Sequence, residues 1–183
     1  LNITTNPAFV AQADASFIEQ IKAGTVAAGI SGVWNDVSVR EVWGDNYRAV
    51  RLPTYTVAGQ QVQMASFKGY KMLGVNAYSK YPEWAAKLAD WLTNEENQTL
   101  RFEERGQGPS NINAAASDAV NQSPAIQAVL AQSEYGKLQR VGNAYWTPCS
   151  NFGNTMAAGN PTNQDLQEIM DTLAEGISAS AAQ

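Results

Sequence analysis

The sequence predicts an α/β protein that is rich in helices and has a few strands. Short apolar runs typical of strands fall in the first half of the chain, and amphipathic patterns typical of helices dominate the second half. Hydrophobic residues make up 44% of the 183 residues, which is enough for a packed core. We therefore expect a folded chain and not a disordered one.

The first half is predicted to alternate short helices with apolar strands. A helix over residues 14–23 ends at Gly24, a residue type that commonly terminates helices, and a short helix follows over residues 35–43. Residues 54–65 are predicted to form a loop or hairpin around Ala58-Gly59. Strands are predicted over residues 25–30, 47–52 and 69–78.

The second half is predicted to consist mainly of helices. Pro82 suits the first position of one helix, and Thr93-Asn94-Glu95-Glu96 is a capping-box pattern that begins the next, which stops at Gly106. In the last helix, Thr162 is the predicted cap. Further helices are predicted over residues 114–120, from Ser123-Pro124 onward and over residues 148–158, with loop or irregular structure over residues 107–113 and 136–144.

Composition excludes several functional classes. The formal charge is −5 and the 12 Lys and Arg form no basic block, which argues against nucleic acid as a partner. The chain has no histidine, so His-based metal sites and Ser-His-Asp triads are excluded, and no metal or cofactor is predicted. The one cysteine, Cys149, permits no intrachain disulfide and is predicted to be buried beside Phe152 and Met156. No apolar run approaches the roughly 20 residues needed to cross a bilayer.

Pairs of carboxylates are the residues from which a glycosidase would be built, since such an enzyme needs two carboxyl groups about 5 to 10 Å apart. Glu103 and Glu104 are adjacent, so a helix points them about 100° apart, and Glu95-Glu96 fits the first turn of a helix. Both pairs are therefore interpreted as solvated or capping carboxylates. Asp36 and Asp45, which follow a tryptophan at a turn, are candidates for binding a polar ligand.

Two of the five tryptophans lie where a side chain can project into a cleft. Trp34 and Trp146 occur at turns between predicted elements, beside Asn, Gly or Pro. An exposed indole can cover the apolar C–H face of a sugar while polar neighbours take its hydroxyl groups. Trp84 and Trp91 are two turns apart on one predicted helix, which favours a shared packing face. Composition alone leaves open the alternative that all the tryptophans belong to the core.

Six segments of the chain carry a recognisable family pattern and follow one another in the family's order. They are VAAGISGVW at 26–34, RLP at 51–53, SFKGYKMLGVNAYSK at 66–80, the paired-helix pattern at 81–106, AYW at 144–146 and GNPTNQDLQEIMDTL at 159–173. Together they cover nearly all of the chain. In these segments the sequence resembles the extracellular solute-binding proteins of ABC sugar importers, in the maltose and maltodextrin-binding group.

The resemblance implies a periplasmic-binding-protein-like (type II) architecture, in which two α/β lobes close on a sugar. Relatives are longer, and this chain corresponds to their C-terminal part. Residues 1–66 and 140–183 would belong to the second lobe, and residues 67–139 would supply a crossing strand plus helices of the first lobe. We expect exposed apolar surface on the 67–139 helices, where the missing N-terminal half would lie. Without that half, the chain is expected to dimerise, swap segments or accompany a partner chain.

By position, the resemblance implies that Trp34 and Trp146 are sugar-stacking residues. Ser150 follows Trp146 by one turn, where relatives carry a polar or charged sugar contact, and Tyr70 on the crossing strand would line the cleft. The complete set of candidate ligand-binding residues is Trp34, Asn35, Asp36, Tyr70, Tyr145, Trp146 and Ser150.

The implied function is not enzymatic. The chain would be the carbohydrate-binding component of an ABC transporter, would hold a maltose or malto-oligosaccharide-like ligand by aromatic stacking in an interlobe cleft, and would deliver it to the permease subunits. The implied location is extracellular or at the cell surface, as a lipoprotein or a periplasmic protein whose anchor is not in this chain. Two alternatives remain open: a carbohydrate hydrolase using Asp36 or Asp45 with a glutamate, and a structural interaction module with core tryptophans.

Overall fold

A computed structural model of the chain describes residues 3–11, 14–142 and 145–181. The chain divides into two compact units, one formed by residues 1–16 with 139–183 and the other by residues 17–138. The α-helices are α1 Asp14–Lys22, α2 Asp36–Trp43, α3 Pro82–Thr93, α4 Glu95–Arg105, α5 Ile112–Ala115, α6 Asp118–Asn121, α7 Pro124–Ser133, α8 Trp146–Ala157 and α9 Leu166–Ala181. The strands are β1 Thr54–Val57, β2 Gln60–Gln63, β3 Ser66–Lys68 and β4 Gly136–Leu138, and 3-10 helices cover Val33–Asn35 and Gly44–Asn46.

The predicted hairpin is confirmed as the antiparallel pair of β1 and β2, in which Thr54 lies opposite Gln63. Its two loop residues, Ala58 and Gly59, have φ angles of 49° and 78°. Positive φ at both central residues is what a type I′ turn requires, and the twist of that turn matches the twist of the flanking strands.

A short parallel pair of strands, β3 and β4, joins the beginning and the end of the helical segment within residues 17–138. Ser66 in β3 lies opposite Gly136 in β4, and the side chain of Gln132 ties the neighbouring chain to this pair. The Gln132 amide nitrogen donates to the carbonyl oxygen of Met64 at 3.0 Å, and its Oε1 accepts from the backbone N–H of Leu52 at 3.1 Å. One amide side chain therefore satisfies backbone groups from two separate segments.

The helices between these strands begin and end where local signals place them. Pro82 is in the first turn of α3, the Asn94 side chain accepts from the backbone N–H of Asn97 at the start of α4, and Gly106 ends α4 with a φ of 64°. Ser123 caps α7 through its hydroxyl oxygen. Buried Gln98 then fastens α4 to the following loop, because its Oε1 accepts from the backbone N–H groups of two loop residues at 2.7 and 2.9 Å.

The three predicted apolar strands are wrong. Residues 25–30, 47–52 and 69–78 contain no strand in the described structure, although most of these residues are exposed and lie outside helices. A strand forms only where a neighbouring segment accepts its N–H groups and donates to its carbonyls, and the described chain places no such neighbour beside these residues.

Several predicted boundaries also need correction. The 107–113 loop ends in α5, the 114–120 helix is split into two short helices by the cap at Ser117, and the irregular segment 136–144 begins with β4; residues 143 and 144 lie outside the described chain. The last helix is capped by Asp165 and not by Thr162, because Asp165 Oδ1 accepts from the backbone N–H of Gln167 at 2.8 Å.

The packed interior within residues 17–138 is small. Its buried apolar side chains are Ile21, Val39, Ala114, Val120, Ala125 and Ile126. In contrast, Trp84, Leu88 and Trp91 on α3 are all exposed, so the expected apolar surface on these helices is confirmed and the predicted burial of the two tryptophans against a shared face is not. Cys149 is half-buried, which corrects the prediction of a buried thiol. No helix in the described residues is long and apolar enough to cross a membrane.

Residues 139–181 contain a helical pair. Helices α8 and α9 pack against each other, and Pro148 lies so close to Gly176 that a Cβ there would come within 2.9 Å of the proline ring. The turn between them contains Gly159, Asn160 and Asn163, all with positive φ. The buried Asn160 side chain closes this turn by bonding the carbonyl and the N–H of Gln164 at 2.8 and 3.2 Å.

Candidate functional site

Trp34 lies in the short 3-10 helix that leads into α2, and its indole is 65% exposed. The ring lies directly against the backbone of Gly32, since a Cβ at that glycine would overlap three atoms of the indole. Any larger residue at position 32 would displace the ring. The glycine thus holds an aromatic plane in place while most of its surface stays open.

Asn35 is fixed beside this indole. Its side-chain nitrogen donates to the hydroxyl oxygen of Ser31 at 2.7 Å, across the same turn. A side chain already held by a neighbour loses little conformational freedom when a ligand arrives. Trp34 and Asn35 therefore form a preorganised aromatic and polar pair.

Asp36 follows as the first residue of α2, and its side chain is only 1% accessible. One carboxylate oxygen, Oδ2, forms an ion pair with Arg40 one turn along the helix. Burial, followed by a hydrogen bond to Asp36 and the charge of that carboxylate, raises the pKa of the Tyr47 hydroxyl above its usual range. The other oxygen, Oδ1, is buried and accepts no hydrogen bond from the described residues.

Asp36 is among the residues that line a cavity of about 610 Å³ within residues 17–138. The cavity walls are mainly apolar and come from residues 27–29 and 31–33, from residues 46–52, and from α2 and α7. Asn35 and Tyr47 also line this cavity, whereas Trp34 is not among its lining residues. The exposed indole and the apolar cavity are therefore two adjacent but different features.

Trp146 begins α8 and is 47% exposed. The ring of Tyr145 meets it edge-on, with ring centroids 5.2 Å apart and an interplanar angle of 83°. A hydrogen bond with Cys149 raises the pKa of Tyr145. Ser150 is exposed four residues after Trp146, so the helical repeat places both on one face of α8. These residues form a second aromatic and polar group, in the unit of residues 139–183.

Tyr70 is exposed in the irregular segment that follows β3. It makes no hydrogen bond or ring contact with the part of the chain that the structure describes. Within residues 17–138 the structure thus brings Trp34, Asn35 and Asp36 together, and leaves Tyr70 on a segment without regular structure.

Two residues of this region were missed by sequence reasoning. Arg40 and Tyr47 both contact Asp36 and determine how much of its carboxylate is satisfied. The spacing of four residues between Asp36 and Arg40 on one helix is a readable signal for an ion pair. Tyr47 lies beyond a turn and has no local signal of this kind. Among the described residues, no cluster of His, Cys, Asp and Glu could hold a metal ion.

Comparison with known proteins identifies the family of this chain. Residues 2–128 match the family described as bacterial extracellular solute-binding proteins, and the chain belongs to this family. The chain is 35% identical over 156 residues to the galactooligosaccharide-binding protein of Bacillus subtilis (strain 168), a match that covers 83% of this chain and 35% of that protein.

Solved structures confirm the predicted fold class. A structure of the maltodextrin binding protein MalE1 from L. casei BL23 without ligand matches 88% of this chain with a TM-score of 0.71 and 25% identity. A structure of a complex with acarbose matches 98% with a TM-score of 0.83 and 27% identity. The chain spans 45% and 48% of those two chains, so it corresponds to about half of a type II solute-binding protein.

Proposed function

We propose that this chain is the C-terminal part of an oligosaccharide receptor that serves an ABC importer. The family match and the sugar-binding names of its relatives support a solute-binding role. The observation that carries the proposal for this chain is the exposed indole of Trp34, held by Gly32 beside the fixed amide of Asn35. Such a pair suits a pyranose ring, whose C–H face is apolar and whose edge bears hydroxyl groups.

Stacking on Trp34 supplies binding energy with little ordering of the protein. Covering about 80 Å² of indole contributes roughly 2 kcal/mol through removal of apolar surface from water. Asn35 adds direction, because its amide is oriented by Ser31 before the sugar arrives. Affinity therefore comes from the ring and orientation from the amide.

Trp146, Tyr145 and Ser150 are proposed as the second group of sugar contacts. Tyr145 braces the edge of the indole, which leaves the ring of Trp146 half-exposed for stacking. The Ser150 hydroxyl lies one helical turn away and is short, so it reaches fewer sugar hydroxyls than a longer side chain would. This group is proposed to contribute stacking more than hydrogen bonding.

Tyr70 and Asp36 have less direct roles in this proposal. The exposed phenol of Tyr70 is proposed to line the ligand cleft in the longer protein. Asp36 is almost fully enclosed, so a ligand reaches its carboxylate only through the cavity that it lines. We propose that Asp36 stabilises the turn that contains Trp34.

The ligand class is proposed to be a malto-oligosaccharide. The structural relatives, one named for maltodextrin and one a complex with acarbose, favour it at 25% and 27% identity. The relative at 35% identity is named for galactooligosaccharides, which makes a β-galactoside oligomer the rival ligand. Both sugars belong in any binding test.

The remaining proposals concern the whole receptor. Residues 1–66 with 140–183 are proposed as the second lobe, and residues 67–139 as a crossing strand and helices of the first lobe. The exposed face of α3 formed by Trp84, Leu88 and Trp91 would then lie against the missing N-terminal half. Delivery to permease subunits and a lipoprotein or periplasmic location outside the cell complete the proposal.

Titration of the 183-residue chain with maltotriose and with a galactotriose tests the sugar site. Since part of the cleft is missing, we expect weak binding with a Kd on the order of millimolar, followed by tryptophan fluorescence or NMR shifts. Trp34→Ala and Trp146→Ala should each weaken it at least tenfold. Trp84→Ala, which removes an indole that is 70% exposed, is the matched control and should leave binding unchanged. Binding that survives both Trp34→Ala and Trp146→Ala rules out these sites.

A further inference from the structure

Gly32 directly precedes the 3-10 helix that contains Trp34, and its backbone is extended, with φ and ψ angles of −113° and 173°. Any L-residue adopts these angles, so the backbone at position 32 does not require glycine. The carbonyl oxygen of Gly32 accepts from the backbone N–H of Asn35 at 3.1 Å, a bond that an alanine would make equally well. What distinguishes glycine from alanine at this position is therefore the space around the Cα atom.

That space is occupied by the indole of Trp34. A Cβ at position 32 would overlap three consecutive carbons of the six-membered ring, Cε3, Cζ3 and Cη2, and would lie at nearly the same distance from each. A group that approached the edge of the ring in its plane would be much farther from the two outer carbons than from the middle one. The Cβ position therefore lies over the face of the ring, and the Cα hydrogen of Gly32 that occupies this direction points at the aromatic face.

The indole of Trp34 thus has two unlike faces. Gly32 lies against one of them, and since Trp34 is 65% exposed, most of its open surface belongs to the opposite face and to the ring edges. Gly32 lines the apolar cavity and Trp34 does not, so the open face is not turned into that cavity. A planar apolar surface that is open on one side suits the C–H face of a pyranose ring.

We propose that Gly32 is a positioning residue of the sugar site. Because it has no side chain, the Trp34 indole lies against the main chain by one face and presents the opposite face to the sugar. The inference rests on the proposed sugar-binding role of Trp34. A ring held against the main chain loses less conformational freedom on binding than a ring that rotates freely. Any Cβ at position 32 would turn the indole away from this position, and since the indole is largely exposed, the fold would lose little stability.

Proton NMR of the 183-residue chain without sugar tests the contact itself. A proton over the face of an aromatic ring is shielded by the ring current, so one of the two Cα protons of Gly32 should resonate well upfield of the other. Trp34→Ala should remove this difference. Trp84→Ala, which removes an exposed indole on α3, should keep it. Similar resonances for the two Gly32 protons in the parent chain would overturn the positioning role.

Gly32→Ala separates positioning of the indole from stability of the fold. Its matched control is Gly74→Ala, because an added Cβ at Gly74 meets no atom within 4 Å and the backbone there is not left-handed. Both variants should keep the melting temperature of the parent to within a few degrees. Only Gly32→Ala should shift the indole Nε1–H resonance of Trp34 and weaken binding of maltotriose or galactotriose, by about tenfold. A large loss of melting temperature in Gly32→Ala, with the Trp34 resonance unchanged, would assign Gly32 a structural role and overturn the inference.

A double variant tests whether Gly32 acts through Trp34. If position 32 affects the sugar only by displacing the indole, Gly32→Ala should cause no further loss of affinity in a chain that already carries Trp34→Ala. A further loss of the size seen in the single Gly32→Ala variant would show that the two residues act independently. That result would overturn the positioning role, even though both residues would still matter for sugar binding.

Titration with sugar, followed at the Cα protons of Gly32, tests which face of the indole the sugar uses. Shielding that persists at saturating sugar is expected, because the sugar stacks on the opposite face. Shielding that is lost as the sugar binds would mean that the indole leaves Gly32 to reach its ligand, and would overturn the inference. If neither sugar binds, the proposed function fails for this chain, whereas the sugar-free measurement still decides whether Gly32 holds the ring.

Discussion

Residues 82–133 and residues 25–52 belong to the same compact unit but satisfy their backbone groups in opposite ways. In the first region, helices α4 to α7 each begin with a side chain that accepts from the helix backbone: Asn94, Asn111, Ser117 and Ser123. In the second region, residues 27–30 and residues 49–51 make no backbone hydrogen bond to any described residue. The groups that satisfy the helix ends lie within a few positions in the sequence, whereas the local sequence supplies no such group to residues 27–30 and 49–51.

The largest expected effect comes from truncating one isoleucine side chain in each of the two regions. Ile126 in α7 is 8% exposed and contacts Gly108, while Ile30 is 65% exposed. Ile126→Ala should lower the free energy of unfolding by about 3 kcal/mol, because it removes buried methyl groups and leaves a cavity. Ile30→Ala should change it by less than about 0.5 kcal/mol, as is usual for exposed side chains.

Urea denaturation of the chain measures both values. Comparable losses from the two substitutions would show that residues 25–30 are already packed in this chain. The contrast between the two regions would then be wrong.

A smaller effect is expected at the point where the helical region touches the N-terminal end of α2. Gly106 ends α4 with a φ of 64°, and a Cβ there would lie 3.2 Å from Oδ2 of Asp36. Gly24 ends α1 with a φ of 71° and has open space around it. Gly24→Ala should therefore cost about 1 kcal/mol for the left-handed backbone alone, and Gly106→Ala about 2 kcal/mol, because Asp36 must also move.

Thermal unfolding of the two alanine variants gives this difference directly. Equal destabilisation would mean that the Asp36 carboxylate moves freely. In that case the end of α4 would not fix the position of this buried carboxylate.

The elements predicted correctly are those whose signals are local. Pro82, Asn94 and Ser123 begin helices through their own side chains or ring, and Ala58-Gly59 forms a turn by its own backbone preference. The strands over residues 25–30 and 47–52 were predicted from apolar composition. An apolar composition indicates that a segment can pair as a strand, but it does not show whether a neighbouring strand is present.

The candidate site also has features that local sequence predicts and features that it does not. The sequence predicts that Trp34 and Trp146, which lie at turns, are exposed, and both indoles are exposed in the structure. The sequence could not show the contacts that hold these residues. The indole of Trp34 lies against Gly32, and the carboxylate of Asp36 contacts both Arg40 and Tyr47. Those contacts depend on side-chain packing, and only the Asp36 to Arg40 spacing was readable in advance.

The smallest expected effect is a pH dependence located in the second region. Burial, and then the hydrogen bond to Asp36, raise the pKa of Tyr47 in the folded chain above the value of 10.0 for a free tyrosine. Above about pH 10 the unfolded chain releases this proton while the folded chain retains it, so the folded state binds more protons and stability falls as pH rises. Tyr47→Phe should flatten that fall in melting temperature between pH 9 and 11. Tyr78→Phe, at an exposed tyrosine, is the control and should keep the slope of the parent chain. A Tyr47→Phe variant that loses stability with pH as steeply as the parent would show that Tyr47 is not the source of the pH dependence.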